Sequence, residues 1–323
     1  MSAALDPDLR NGNSSHLPMV LAAMRALGGT PAELGRFEST YAPLTQPLRA
    51  AAADFDPVRH LGSAAHFTNW LRYYEGLLAN APWQQVLHRE LPCLMEGLAS
   101  SAFHGMIRLA YGVRFERTDE IAAGLAMLSA FRVSLPLPAG AHATGAAEGL
   151  RSLAFDESLA GLVWHEPLIM RRLREVFRHP AFVAAVKPLR IEKGPERAWF
   201  SLLTAAARLH RASGDFAALH LVTGVHALRI LWPWLGVRED VLQRFWFAFC
   251  AVFVAIGRPW PLDWLDVGPP LPWEELRERA CASDDDHLAK LVFSCEDLAA
   301  GMPDDPVLAG TLQACASLEA RRR

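Results

Sequence analysis

The run FWFAFCAVFVAIG, residues 245–257, is the longest apolar segment of the chain, and it separates two classes of fold. A bilayer span needs about 20 apolar residues, and these 13 fall short. The run is therefore expected to belong to a core helix, 238–257, enclosed by other helices. Working outward, helical punctuation recurs on both sides. SSHLPMVLAAMRALG (14–28) opens on serine caps and stops at Gly28-Gly29. Residues 64–81 carry Phe67, Trp70, Leu71, Tyr74 and Leu77 at helical spacing. Further helices are expected at 83–98, 100–113, 118–131, 167–178, 195–212, 214–232, 284–300 and 304–319. No alternating strand, no G-x-G-x-x-G fingerprint and no repeat of fixed period is present. The expectation is an all-α protein, an irregular multi-helix single domain over 1–323. Two irregular segments interrupt it, 134–145 and the proline- and tryptophan-rich 258–273.

With 323 residues, 51% of them hydrophobic, the chain can bury a large core. A formal charge of −3 leaves no basic stripe for nucleic acid, and none is expected as a partner. Five scattered cysteines without a C-x-x-C spacing argue against a disulfide framework. Together with an N-terminus lacking a signal-peptide pattern, they point to the cytoplasm, with no membrane association. Oligomeric state is left open. The basic residues are uneven: only Lys187, Lys193 and Lys290 are lysine, against 29 arginines. A lysine inside a helix of this chain raises the question of what arginine could not do there.

Of the twelve histidines, His60, His66, His88, His142, His165 and His179 lie among charged, proline or loop residues, and most of them read as surface or capping groups. His104 differs, because AFHGMIRLAYG (102–112) is apolar and sets Arg108 on the same helical face. In FAALHLVTGVHALRILWPWLG, His220 and His226 are six residues apart, about 120° around a helix, so they do not form an H-x-x-x-H pair. Thr223 lies one turn from His220, within reach of its ring or of a substrate. In ASDDDHLAKLVFSCEDL, Ser283 or Asp284 reads as the N-cap, and the acids complement the helix dipole. His287 and Lys290 follow on one face. For Lys290 a snorkelling role competes with a chemical one. Burial lowers a lysine pKa, and a neutral amine can take up carbon dioxide as a carbamate, an anionic oxygen ligand that arginine cannot supply.

Four pieces, HLPMVLAAMRALG, SAFHGMIRLAYG, GDFAALHLVTGVHALR and DDDHLAKLVFSCEDL, occur in the order found in the questin oxidase-like proteins, and the chain resembles that family over most of its length. Fungal members cleave a ring of anthraquinone-type polyketides with oxygen. The resemblance implies a helical fold with a mononuclear non-haem Fe(II) centre between buried helices. Its ligands would be His16, His104, His220 and His287, joined by a carboxylated Lys290. His226 would stand behind the ligands, and Arg108 would orient a phenolate or, the favoured alternative, hold a carboxylate. The partners implied are a small aromatic substrate and O2, with NADPH as one source of electrons.

Three rivals stay open. A non-covalent haem leaves no sequence trace. A di-iron carboxylate bundle wants two E-x-x-H motifs, and only DDDH resembles one. A helical small-molecule-binding protein without oxygenase activity would keep the pocket and lose the chemistry.

Overall fold

The computed structural model describes residues 5–262 and 268–322; positions 263–267 of the irregular segment expected at 258–273 lie outside the described residues. The helices in chain order begin with α1 (Leu17–Ala26), α2 (Pro31–Tyr41), α3 (Phe67–Asn80), α4 (Trp83–Leu94), α5 (His104–Arg114), α6 (Thr118–Ala130) and α7 (Ala146–Ala154). They continue with α8 (Ile169–Arg178), α9 (Pro180–Ala185), α10 (Pro195–Ser213), α11 (Phe216–Leu231) and α12 (Arg238–Ala255). The last are α13 (Trp273–Ala282), α14 (Leu288–Ala300) and α15 (Pro306–Arg322). Among the described residues there is no β-strand, only isolated bridges such as Asp8 with Ser14.

Two compact units emerge, one of Met1–Leu48, Ala206–His226 and Leu262–Arg323, the other of Arg49–Ala205 and Ala227–Pro261. The second holds the apolar run 245–257. Every residue from Phe245 to Ala255 in α12 is buried, as a helix apolar on all sides must be. Within the same unit α5 and α6 meet through glycine. A Cβ added at Gly124 would stand 2.5 Å from the Leu109 backbone, and one at Gly112 would stand 2.6 Å from Ile121 N. That backbone approach brings Arg108 of α5 to Glu120 of α6, Nε to Oε2, at 2.7 Å, with both side chains buried.

In the first unit α1 packs against α14 and α2, and α14 against α15 and α13. Arg36 of α2 ties the α13–α14 connection by pairing with Asp284 and donating to the Cys281 carbonyl at 3.0 Å. The stretch Phe216–Trp234, 19 residues, is long and apolar enough by composition to cross a membrane, yet most of its apolar window is buried in the protein.

Several expectations need correction. Helices α2, α7, α9 and α13 are additions to the expected set; α7 and α9 are short, and α13 is dominated by Glu and Arg. α2 announces itself only by a capping box between Thr30 and Glu33. The N-cap of α1 is His16, not a preceding serine, and that of α14 is His287, not Ser283 or Asp284. Asp285 causes the second shift, because its Oδ1 accepts from the amides of His287 at 2.8 Å and Leu288 at 3.0 Å.

Candidate metal centre

Three imidazoles of the first unit converge. His16 sits at the N-cap of α1, His287 at the N-cap of α14, and His220 inside α11, all buried. Their ring centres lie 4.5 Å apart for His16–His287, 5.3 Å for His220–His287 and 6.2 Å for His16–His220. Imidazoles bound at about 2.1 Å to one metal have ring centres about 4.5–5.5 Å apart between octahedral and tetrahedral angles. The ring centres of two pairs fall in that range, and those of His16 and His220 lie outside it. Two helix N-termini end here as well, adding positive potential that favours an anionic ligand.

The tautomers are set by neighbours. His220 Nδ1 is 2.9 Å from the Phe216 carbonyl. His287 Nδ1 is 2.6 Å from Asp286 Oδ1, and His16 Nδ1 lies off-axis at 2.9 Å from Asp286 Oδ2. An Nδ1–H engaged by an oxygen leaves Nε2 with its lone pair. In His287 that Nε2 is buried and has no hydrogen-bond partner. A buried acceptor left so costs about 1–3 kcal/mol unless a ligand satisfies it, and this is the observation that fits a metal. Burial first, and Lys290 second, push His16, His220 and His287 down to about 3, so all three are neutral at pH 7.

Lys290 lies on α14 in the same neighbourhood and is buried. Burial lowers its ammonium to about 8, against the opposing pull of Asp286 and Asp285. Asp286 is held well below the usual carboxylate range: burial opposes ionisation, but the two imidazoles facing it outweigh that. Tyr41 OH donates to Asp286 Oδ2 at 3.1 Å and accepts from the His16 amide at 3.0 Å. Sequence reasoning missed both Tyr41 and the inward turn of Asp286. The available signal was the length of the acidic run, three residues where one cap suffices.

The remaining expected residues are placed as follows. Thr223 is buried and turns its hydroxyl back to the carbonyls of Leu219 and His220 at 3.5 and 3.4 Å. His226 pairs through Nε2 with Asp297 Oδ2 at 2.9 Å and packs edge-on to Phe293. In the second unit, His104 opens α5, buried, with Nδ1 against the Ser101 carbonyl, again leaving Nε2 as the acceptor nitrogen. It follows three non-glycine residues with positive φ, Ser101 at 52°, Ala102 at 52° and Phe103 at 69°. Each costs about 1–2 kcal/mol in that conformation, so the turn into His104 is a strained one. Arg108 is engaged by Glu120, as described above. The six histidines expected near the surface are all outside the buried class. His210, absent from the expected site residues, is fully buried, with Glu319 Oε2 3.9 Å from its Nε2.

Comparison with known proteins adds the family. The model described as Questin oxidase-like matches residues 14–295. The Baeyer-Villiger oxidase AgnL3 of Paecilomyces divaricatus is 29% identical over 126 residues, covering 34% of this chain and 27% of that protein. The Baeyer-Villiger oxidase ptaJ of Pestalotiopsis fici is 27% identical over 132 residues, 36% of this chain and 29% of that protein. The chain thus aligns with less than a third of the length of either relative.

Proposed function

The chain belongs to the questin oxidase-like family of oxidoreductases, and on that premise we propose that it is a mononuclear non-haem iron oxygenase acting with O2 on an aromatic, polyketide- or anthraquinone-like substrate. Oxygen insertion beside a carbonyl is the reaction proposed from the names of the relatives, and ring cleavage is proposed from the family resemblance. The observation that carries the reading is the meeting of three buried neutral imidazoles with one buried lysine.

His16, His220 and His287 would hold the ion through Nε2, and the resemblance adds His104 on sequence grounds. Lys290 would join as a carbamate: its neutral Nζ attacks carbon dioxide, a proton leaves the nitrogen, and the carboxylate oxygen becomes a ligand. Imidazole and an anionic oxygen donor suit iron, and the anion favours the ferric state. Iron so held would supply the one-electron chemistry that lets ground-state dioxygen react with an organic molecule. The protein's own part is orientation and exclusion of water. Phe216, 40% exposed, lies against the rings of His220 and His287 at 4.7 and 4.4 Å, and in this proposal its outer face receives a planar substrate. NADPH as reductant and a cytoplasmic location belong to the same proposal.

Metal analysis of untagged protein, beside Lys290→Ala and His220→Ala, tests it. About one iron per chain, lost in both variants, together with O2 uptake on adding a hydroxyanthraquinone, is the expected result. Protein that stays iron-free after anaerobic loading with ferrous ion would sink the oxygenase reading.

A further inference from the structure

Three aspartates stand in a row at 284–286, and the structure gives each a different task. Asp284 pairs with Arg36 at the surface. Asp285 accepts the first amides of α14. Asp286 alone presents both oxygens to imidazoles, Oδ1 to His287 and Oδ2 to His16.

We propose that Asp286 is a shared positioning residue, locking His16 and His287 in the Nδ1–H tautomer so that both Nε2 atoms serve the same centre. The proposal rests on the reading of the cluster as a metal site. A carboxylate only accepts, so a ring nitrogen that bonds it carries the proton and leaves Nε2 with the lone pair; His287 meets this at 2.6 Å, and His16, off-axis at 2.9 Å, needs only a small ring rotation to do the same. Tyr41 completes the support. It takes the His16 amide proton at 3.0 Å and gives its own to Asp286 Oδ2 at 3.1 Å, so the backbone and the ring of His16 are both referred to one carboxylate. Because His16 and His287 are the N-caps of α1 and α14, this carboxylate also holds two helix starts in register.

Asp286 could instead be a ligand itself, since one donor atom each from His16, Asp286 and His287 lies within 4.8 Å of the others. The distances argue otherwise. The 2.6 Å between His287 Nδ1 and Asp286 Oδ1 is a hydrogen-bond separation, and the 2.9 Å to His16 Nδ1 falls in the same range though the approach is off-axis. Two ligand atoms on one metal at about 2.1 Å stand about 3 Å or more apart. A carboxylate behind a ligating histidine, fixing its tautomer and raising its basicity, is a recurrent way of tuning metal sites.

The asparagine variant separates positioning from mere filling of space. Asp286→Asn keeps the volume but presents one oxygen and one N–H2. The N–H2 side must face a ring nitrogen that accepts, which forces that histidine to the Nε2–H tautomer and removes its ligand lone pair. Full-length protein labelled with 15N-histidine and prepared without metal should show His16 and His287 as Nδ1–H tautomers in long-range 1H–15N spectra. In Asp286→Asn at least one should flip, and Co(II) affinity, measured by competition with a chelator, should fall about 10- to 100-fold. Tyr41→Phe, which spares both carboxylate oxygens, should keep both tautomers with a loss of only about a few-fold. It serves as the second variant should Asp286→Asn unfold. An Nε2–H tautomer for either ring in the wild type, or Asp286→Asn that binds Co(II) within about twofold of wild type, would overturn the assignment. Wild-type protein with both expected tautomers but no Co(II) uptake would support the role of Asp286 and overturn the metal-centre reading instead.

Discussion

Arg108 offers the sharpest test of how the second unit is held together. Its guanidinium and the Glu120 carboxylate are 2.7 Å apart, with side chains 3% and 7% exposed. At an effective dielectric of 20 their attraction is about 6 kcal/mol, most of it offset by the desolvation of both charges. The intact pair is therefore worth little net. Breaking it is another matter, because a lone buried charge costs about 3–5 kcal/mol. Arg108→Met should destabilise the protein by about that amount, and Glu120→Leu likewise. The double variant should recover much of the loss, ending within about 2 kcal/mol of wild type, so the coupling in the double-mutant cycle should be at least about 4 kcal/mol. Urea denaturation followed by circular dichroism measures all four corners. The same cycle addresses function: a purely structural Arg108 predicts that bound metal returns with stability in the double variant. An Arg108→Met variant less than about 1 kcal/mol below wild type, or a cycle additive within about 0.5 kcal/mol, would refute the reasoning.

Other outcomes follow from the same geometry. Gly124→Ala puts a methyl 2.5 Å from the Leu109 backbone and should cost about 1–3 kcal/mol of stability. Gly76→Ala, with nothing within 4 Å, should raise stability by about 0.5–1 kcal/mol, both read by thermal unfolding. His210 is fully buried and lowered to about 4 by burial, so its unfolded form binds the proton first. Its contribution is present above about pH 6.5 and is lost as pH falls, about 2 kcal/mol by pH 5. His210→Asn, though weaker at pH 7, should show a correspondingly flatter stability profile between pH 7 and 5, and an unchanged slope would dismiss this origin. His104→Ala should lower bound iron substantially; full occupancy in that variant would take His104 out of the proposed ligand set.

The helical class was legible in the residues because it rests on local rules. An apolar run of 13 residues is too short for a bilayer, and 3.6-residue spacing recurs through most of the chain. The scarcity of lysine drew attention to Lys290 for a reason of chemistry rather than of contacts. Short or polar helices such as α9 and α13 escaped because they carry too few apolar turns to stand out. Nor could local pattern divide labour among Asp284, Asp285 and Asp286, which are identical in type and adjacent in sequence. Arg36 arrives from α2, the amides from the start of α14, and the imidazoles from the starts of two helices far apart in the chain. The roles of these acids depend on which donors packing brings to them. Burial of His16, His220, His287 and Lys290 in one place has the same origin: desolvation makes the imidazoles neutral and lowers the lysine, and desolvation is a property of the surrounding helices rather than of the residues themselves.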